Sequence, residues 1–150
     1  MLPRLTAVTA EAKAALAGEE YVELTVFPFR FGRESRSGDR RRPMALTDRR
    51  LKAAPLNNNC YLLDFGEPLH ISREHFQIER DEDMTYFVVD RGSACGTIVD
   101  GEALGNHQAR AFQIVEDGSV IVVGTPTSPY QFRLELGDGP EIDKTFELRF

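Results

Sequence analysis

Short runs of apolar residues, separated by turn-forming residues, dominate the chain from Tyr21 onward. In several runs apolar and polar residues alternate, which is typical of a β-strand with one buried face. The runs that predict strands cover residues 21–27, 60–65, 75–79, 85–90, 112–114, 119–123, 130–136 and 145–150. Many short strands with turn signals between them favour an antiparallel β-sandwich, an all-β fold.

Local cap and turn signals add two elements to this pattern. Thr9 is a suitable N-cap for the alanine-rich segment 10–17, and Gly18 is a suitable stop, so a short helix is predicted there. The Asp117-Gly118 pair lies between the predicted strands 112–114 and 119–123. That arrangement predicts a β-hairpin.

A segment from about residue 35 to residue 59 interrupts the strand pattern. It is rich in arginine, contains two prolines and ends in three consecutive asparagines. A connection this long is uncommon in a compact domain and is usually functional or disordered. We interpret it as an insertion loop in a single domain over residues 21–136, with an N-terminal extension (1–20) carrying the helix and a C-terminal extension (137–150) carrying a strand.

Composition and charge narrow the class of protein. The chain has 150 residues, 41% hydrophobic and 28% charged, the balance of a single globular domain and not of a collagen-like, coiled-coil or disordered chain. No run approaches the roughly 18 apolar residues of a membrane-spanning helix, so no membrane association is predicted. Two cysteines without a secretory signal indicate reduced thiols and a cytoplasmic location.

The net charge of −6 is unevenly distributed. Residues 36–58 contain seven arginines or lysines and only two acidic residues. An acidic body with one basic segment argues against coating of nucleic acid by the whole chain, but it allows a local attraction for an anion.

Four polar clusters lie at the ends of predicted strands, where a scaffold presents its loops. They cover residues 31–35, 71–75, 90–97 and 99–104. Together they supply guanidinium groups, hydroxyls and glycine-exposed backbone amides. These are the donors that suit a phosphate monoester, which carries three acceptor oxygens and about −1.5 to −2 charges.

The order of these motifs resembles the forkhead-associated (FHA) family over about residues 22–136. The family pattern is Gly-Arg, Ser-x-x-His, Asp-x-x-Ser-x-Asn-Gly-Thr, a hydrophobic-Asn-Gly turn, Asp-Gly-Asp-x-Ile-x-x-Gly and a final strand with a phenylalanine. The matching residues here are Gly32-Arg33, Ser72 to His75, Asp90 with Ser93, Gly96-Thr97, Val99 with Gly101, Asp117-Gly118 with Gly124, and Phe132.

The resemblance implies an eleven-strand β-sandwich that binds phosphothreonine peptides at the loops of one end. By this resemblance Arg33 contacts the phosphate, the Ser72 hydroxyl donates to a phosphate oxygen, and Arg73 reaches the phosphate or the peptide. Gly32 lets the chain turn, and His75 braces the loops without touching the ligand. The implied function is a non-enzymatic adaptor in Ser/Thr-kinase signalling.

The loop that grips the peptide departs from the family pattern. The resemblance places Cys95, Gly96 and Thr97 in this loop, with Cys95 at the position of the family's asparagine. A thiol is a weak donor and a weak acceptor, whereas an amide does both well, so Cys95 is expected to hold a peptide less well. Asp100 replaces a second asparagine, and its charge is expected near the phosphate side, where it opposes binding.

Other functions remain as alternatives. One is a phosphate-independent interaction protein, supported by Cys95. Another is nucleic-acid binding through the arginines at 40–42, disfavoured because no aromatic residues are interleaved with them. A third possibility concerns the ligand, since Thr6 or Thr9, once phosphorylated, would present the chain's own N-terminus to the site.

An enzyme is the least favoured function. Ser72, His75 and Asp90 include the residue types of a hydrolase triad, but residue identity supplies no geometry and no Gly-x-Ser-x-Gly motif is present. The cysteines and histidines lack metal-ligand spacing, so no metal or cofactor is predicted.

Overall fold

The computed structural model describes residues 2–34, 57–108 and 110–137. Most of the insertion and the predicted strand at 145–150 lie outside these residues. The described part contains one helix and eleven strands. In chain order they are β1 (Arg4–Ala7), α1 (Ala10–Ala15), β2 (Tyr21–Glu23), β3 (Phe29–Arg33), β4 (Cys60–Leu62), β5 (Phe76–Arg80), β6 (Tyr86–Asp90), β7 (Thr97–Val99), β8 (Glu102–Leu104), β9 (Phe112–Val115), β10 (Val120–Val123) and β11 (Gln131–Glu135).

The strands form two sheets, which confirms the predicted β-sandwich. One sheet has the order β2-β1-β11-β10-β7-β8, and the other has the order β4-β3-β5-β6-β9. The β3–β4 pair, which flanks the insertion, is parallel. The other pairings in the described chain are antiparallel.

The core lies between the two sheets and is built from alternate strand residues. In β11, Phe132 and Leu134 are fully buried, whereas Arg133 between them is exposed. Phe31 and Phe76 stack from neighbouring strands, with ring centroids 4.5 Å apart. This packing fixes the strand ends and therefore the loops between them.

The N-terminal segment takes part in the six-stranded sheet through β1. The helix is confirmed, and the Thr9 hydroxyl caps it by accepting from the Ala12 amide at 3.1 Å. However, β1 was not predicted, and it pairs with both β11 and β2. Leu5, fully buried, is the only large apolar residue of this strand, so the sequence shows no period there.

Two strand predictions were wrong because a sequence run does not reveal which sheet it joins. The predicted strand 21–27 ends at Glu23, and the chain crosses to the other sheet before β3. Pro28 lies in this crossing and has no amide to donate to a ladder. The predicted hairpin is also absent, because β9 pairs with β6 whereas β10 pairs with β7 and β11 in the other sheet.

In the part of the chain that the structure describes, no helix has the length and apolar character needed to cross a membrane.

Candidate functional site

The polar clusters meet at the end of the sandwich where β3 and β6 finish and β5 and β7 begin. Arg33, at the end of β3, donates its backbone amide to the Ser72 carbonyl at 2.9 Å. Its Nη1 donates to the Ile71 carbonyl, also at 2.9 Å. These bonds place the partly buried Arg33 guanidinium directly beside the loop that carries Ser72.

The Ser72 hydroxyl is half-buried and retains a proton to donate. Its Oγ accepts from the Ala94 amide at 2.9 Å, which ties the β4–β5 loop to the β6–β7 loop. A hydroxyl has one donor and two acceptor positions. This bond therefore leaves the donor available for an acceptor such as a phosphate oxygen.

The Arg73 side chain points away from the protein, while its backbone is held from beneath. The side chain is exposed and, within the described residues, makes no hydrogen bond or ion pair. The Arg73 carbonyl accepts from Asn58 Nδ2 at 2.8 Å. The arrangement combines a fixed backbone with an unpartnered guanidinium.

Gly32 is needed at this point because it is small. It was expected to let the chain turn, but it lies in a strand, β3. A Cβ atom at this position would lie 1.8 Å from the Arg73 carbonyl oxygen and 2.6 Å from Asn58 Nδ2. Glycine is therefore required because two segments of backbone approach each other closely.

His75 connects the two loops from inside the protein. The imidazole is fully buried. Its Nδ1 accepts from the Ser72 amide at 2.9 Å, and its Nε2 lies 2.8 Å from the Gly96 carbonyl. Since Nδ1 accepts, the tautomer that satisfies both bonds is neutral and carries its proton on Nε2. Burial lowers the pKa of His75, which favours this neutral form.

The β6–β7 loop is organised around the buried carboxylate of Asp90. One oxygen accepts from the Gly92 and Ser93 amides at 3.0 and 2.9 Å. The other accepts from the hydroxyls of Ser93 and Thr97 at 2.6 and 2.8 Å. The Thr97 side chain is fully buried, so it supports the loop from within and does not reach a ligand.

Cys95 and Gly96 form the last part of this loop before β7, and Gly96 is buried. Cys95 is partly exposed, and its Sγ lies 3.9 Å from the Leu69 carbonyl. Gly96 has φ of +84°, a conformation that glycine adopts without strain, and its amide donates to Ser93 Oγ. A cavity of about 190 Å³ opens beside both residues and extends to Asn106.

Sequence reasoning did not identify Asp64, which organises the loop before Ser72. This carboxylate is 2% exposed. It accepts from the amides of Gly66, His70 and Ile71 at 2.6–2.9 Å and from the Tyr130 hydroxyl at 3.0 Å. A single acidic residue in an apolar run gives no pattern that would have revealed this role.

The sequence analysis also did not identify the role of Arg91. At the phosphate-site end of the sandwich, this arginine holds neighbouring residues in place. Its Nη1 donates to Asn58 Oδ1 at 2.5 Å, and its Nη2 donates to the Asn57 carbonyl at 3.1 Å. Nη2 also lies 3.7 Å from a Glu74 oxygen. Arg91 therefore fixes Asn58, which in turn holds the Arg73 backbone.

The structure overturns the expectation that Asp100 opposes binding. Asp100 follows the end of β7, whereas Gly96 precedes the start of that strand, so the strand separates Asp100 from the site. Its two oxygens accept from the Ser119 hydroxyl and the Val120 amide at 2.8 and 2.9 Å. With φ of +49°, it forms the β7–β8 turn together with Gly101.

The hydroxyls of the N-terminal threonines, which were raised above as phosphorylation sites, take part in hydrogen bonds within this fold. Thr6 lies within β1 and donates its hydroxyl to Glu135 at 2.8 Å. The Thr9 hydroxyl contacts the Pro129 carbonyl and caps the helix. Both side chains are engaged in structural bonds.

The residue types of a hydrolase triad do not assemble into one. His75 contacts the amide of Ser72 and not its hydroxyl, and Asp90 bonds to Ser93 and Thr97 and not to His75. Among the described residues, no group of three or more histidine, cysteine, aspartate or glutamate side chains is arranged to hold a metal ion.

Comparison with solved structures shows the same fold. The N-terminal FHA domain of Rad53p from S. cerevisiae, solved with a phosphothreonine peptide, is 16% identical, with a TM-score of 0.59 over 97% of this chain and 99% of that one. The FHA domain of CT664 from Chlamydia trachomatis is 17% identical, with a TM-score of 0.56 over 90% and 97% of the two chains. EmbR from Mycobacterium tuberculosis, in complex with a low-affinity phosphopeptide, is 19% identical, with a TM-score of 0.54 over 90% of this chain but only 24% of EmbR.

The family comparison agrees with these folds. No curated protein sequence matches the chain. The model of the FHA domain matches residues 45–124, which is just over half of the chain. On this match and on the two-sheet architecture, the chain belongs to the FHA domain family.

Proposed function

We propose that this chain is a phosphothreonine-peptide binding module that acts as an adaptor in Ser/Thr-kinase signalling. The observation that carries the proposal is the meeting of Arg33, Ser72 and Arg73 at one end of the sandwich. Two of them bring positive charge, and the third brings a hydroxyl proton with no acceptor assigned to it. The phosphothreonine peptide in the Rad53p structure supports the same ligand class.

The phosphate is bound by charge-assisted hydrogen bonds from these three side chains. Arg33 approaches from the end of β3, and Arg73 approaches from the loop, because its exposed side chain has no competing partner in the described chain. Ser72 donates from between them. Hydrogen bonds to charged groups contribute about 1.5–3 kcal/mol each, so three suffice to select a phosphorylated residue.

The peptide backbone is held by the loop around Cys95 and Gly96. Thr97 acts indirectly, because its bond to Asp90 keeps Gly96 in position. Cys95 contributes less than an amide would, and the positive charge of the phosphate site therefore supplies a larger share of the affinity.

In this proposal the module binds its ligand without catalysing a reaction, and it acts in the cytoplasm. The buried His75 has both ring nitrogens engaged with backbone groups, so it is not available as a general base. Cys60 and Cys95 are both unpaired, which suits a reducing compartment.

The test is a titration of the full chain with a degenerate phosphothreonine peptide library. Matched phosphoserine and unphosphorylated libraries are titrated in parallel. We expect saturable binding to the phosphothreonine pool and none to the unphosphorylated pool. Arg33→Ala is expected to weaken that binding by roughly 10- to more than 100-fold, because it removes a charged donor.

The control for folding is the midpoint of urea unfolding of the Arg33→Ala variant, since Arg33 also donates to the Ile71 carbonyl. A folded variant that binds as tightly as the wild type would exclude the assigned role of Arg33. Equal binding of phosphorylated and unphosphorylated pools would exclude the proposed function itself.

A further inference from the structure

Arg91 lies at the same end of the sandwich as the exposed Arg73, but its guanidinium is directed into the protein. The Arg91 side chain is only 12% exposed. Its Nη1 donates to the Phe31 carbonyl at 3.3 Å and to Asn58 Oδ1 at 2.5 Å, and its Nη2 donates to the Asn57 carbonyl at 3.1 Å. A guanidinium carries its N–H donors in a fixed, planar fork. Because these bonds turn the fork inward, Arg91 does not present it to a ligand.

Arg91 also restrains the carboxylate that follows Arg73 in the chain. One oxygen of Glu74 lies 3.7 Å from Arg91 Nη2, and the other accepts from Asn57 Nδ2 at 2.7 Å. An acidic side chain next to a phosphate-binding arginine would pair with that arginine or repel the phosphate. The contacts with Arg91 and Asn57 offset the charge of Glu74 and hold it apart from the Arg73 guanidinium.

The backbone of Arg73 is held through the same guanidinium fork. Asn58 is 7% exposed. Its Nδ2 donates to the Arg73 carbonyl at 2.8 Å, while its Oδ1 accepts from Arg91. An amide that is bonded at both ends is fixed in one orientation. Removing the fork of Arg91 would therefore loosen Asn58 and, with it, the backbone of Arg73.

We propose that Arg91 is a positioning residue for phosphate recognition. It acts through Arg73 in two ways, by fixing the Arg73 backbone through Asn58 and by holding the carboxylate of Glu74 away. This inference rests on the proposed function, since it takes Arg73 as a phosphate-binding group. Positive charge alone does not perform this role, because a lysine ammonium is a compact group that cannot replace the planar fork.

The first experiment is a calorimetric titration of the full chain with a phosphothreonine peptide selected from the degenerate library. Arg91→Lys retains the net charge, and we expect it to weaken binding by about three- to ten-fold. In the Arg73→Ala background the same substitution should cause no further loss, because its effect passes through Arg73. Arg80→Lys is the matched control. Arg80 is an exposed arginine at the far end of β5, so its substitution should leave the affinity unchanged.

The second experiment tests the part of the proposal that concerns Glu74. Glu74→Gln should increase the affinity more in Arg91→Lys than in the wild type, because only the variant releases the carboxylate. NMR spectroscopy of the arginine side chains tests the same point without a peptide. We expect the Nε–H group of Arg73 to be mobile in the wild type and more ordered in Arg91→Lys, where Arg73 pairs with Glu74.

Several results would overturn the proposal. Equal losses from Arg91→Lys with and without the Arg73 side chain would mean that Arg91 acts on the phosphate independently of Arg73. Unchanged affinity in Arg91→Lys, with urea unfolding showing a folded variant, would mean that the fork is not needed. If the wild type binds no phosphopeptide, the proposed function fails, whereas the NMR comparison still decides whether Arg91 keeps Glu74 from Arg73.

A second variant covers the case in which Arg91→Lys does not fold. Asn57→Ala removes one of the two contacts of Glu74 and leaves Arg91 in place. We expect it to weaken phosphopeptide binding by about two-fold, and this loss should vanish in the Arg73→Ala background. A loss of the same size in both backgrounds would contradict the proposal.

Discussion

Two loops at the same end of the sandwich are built on the same principle. The β4–β5 loop is organised by the carboxylate of Asp64, and the β6–β7 loop is organised by that of Asp90. Each carboxylate is nearly buried and receives four hydrogen bonds, counting the Tyr130 hydroxyl for Asp64 and the Thr97 hydroxyl for Asp90. A buried charge is tolerated in a protein only when its oxygens are satisfied in this way.

The two loops differ in what they leave for a ligand. The β4–β5 loop ends in the exposed Arg73 guanidinium and the Ser72 hydroxyl, whose proton has no assigned acceptor. The β6–β7 loop directs the hydroxyls of Ser93 and Thr97 inward to Asp90. One loop therefore presents binding groups and the other supports them, although both contain serine and arginine.

The first prediction, for which we expect the greatest change, tests whether a buried carboxylate organises each loop. Replacing either carboxylate, in Asp64→Ala or Asp90→Ala, should lower the free energy of unfolding by about 3 kcal/mol or more, because several buried donors lose their acceptor. Urea unfolding measures this. Asp81→Ala is the control, since Asp81 is exposed although it also accepts from two backbone amides. Equal losses in all three variants would mean that burial of the carboxylate does not matter.

The second prediction distinguishes a residue that presents a binding group to the ligand from a residue that stabilises a loop. Arg73→Ala should weaken phosphopeptide binding by about 10- to 100-fold and change the unfolding free energy by less than about 0.5 kcal/mol. Thr97→Val should lower the unfolding free energy by about 1–2 kcal/mol, because a buried hydroxyl donor to Asp90 is lost. Calorimetric titration and urea unfolding of both variants provide the measurement. The reverse assignment of the two effects would refute the comparison.

A third prediction concerns the close approach beneath Arg73. Gly32→Ala should lower the unfolding free energy by about 1–3 kcal/mol and also weaken phosphopeptide binding, because the new methyl group displaces the Arg73 backbone. Gly118→Ala is the matched control. Gly118 has φ of +91° and open space around it, and it lies at the other end of the sandwich, so only stability should change. Intact binding in Gly32→Ala would show that the Arg73 backbone position is not critical.

The fourth prediction concerns the histidine that joins the two loops. Burial lowers the pKa of His75 from its ordinary 6.5, so below that pH the unfolded chain binds a proton that the folded chain does not. Stability is therefore retained above pH 6.5 and falls as the pH decreases, by at most about 1.4 kcal/mol per pH unit from this group. Urea unfolding between pH 5 and 8 measures the slope. His75→Gln should remove this component, and an unchanged slope would contradict it.

The smallest expected effect concerns Cys95. Cys95→Asn should tighten phosphopeptide binding by about two- to ten-fold, because an amide adds a hydrogen bond of about 0.5–1.5 kcal/mol to the peptide backbone. Titration of the variant with the same peptide tests this, and Cys95→Ala serves as the control that should give no gain. Unchanged affinity in Cys95→Asn would show that this position does not contact the peptide.

Much of the fold was predictable because strands and helix caps depend on residues that are close together in the sequence. The alternation in β11 and the Thr9 cap depend on residues a few positions apart, and both were identified correctly. The strand β1 was missed because a four-residue strand with one large apolar residue shows no period. The hairpin at Asp117 was predicted wrongly because a turn indicates that the chain reverses but does not reveal its partner strand.

The local pattern of residues was enough to locate most strands and to find the motifs and their order, and hence the family. The role of each polar residue, in contrast, depends on the folded structure. Arg73 and Arg91 are chemically identical, yet Arg73 is exposed and unpartnered in the described chain, whereas Arg91 is bound to Asn58. Asp64 became an organising residue because the fold buried it next to four donors. Burial and the choice of hydrogen-bond partner arise from contacts between distant parts of the chain. A local sequence pattern does not predict these contacts.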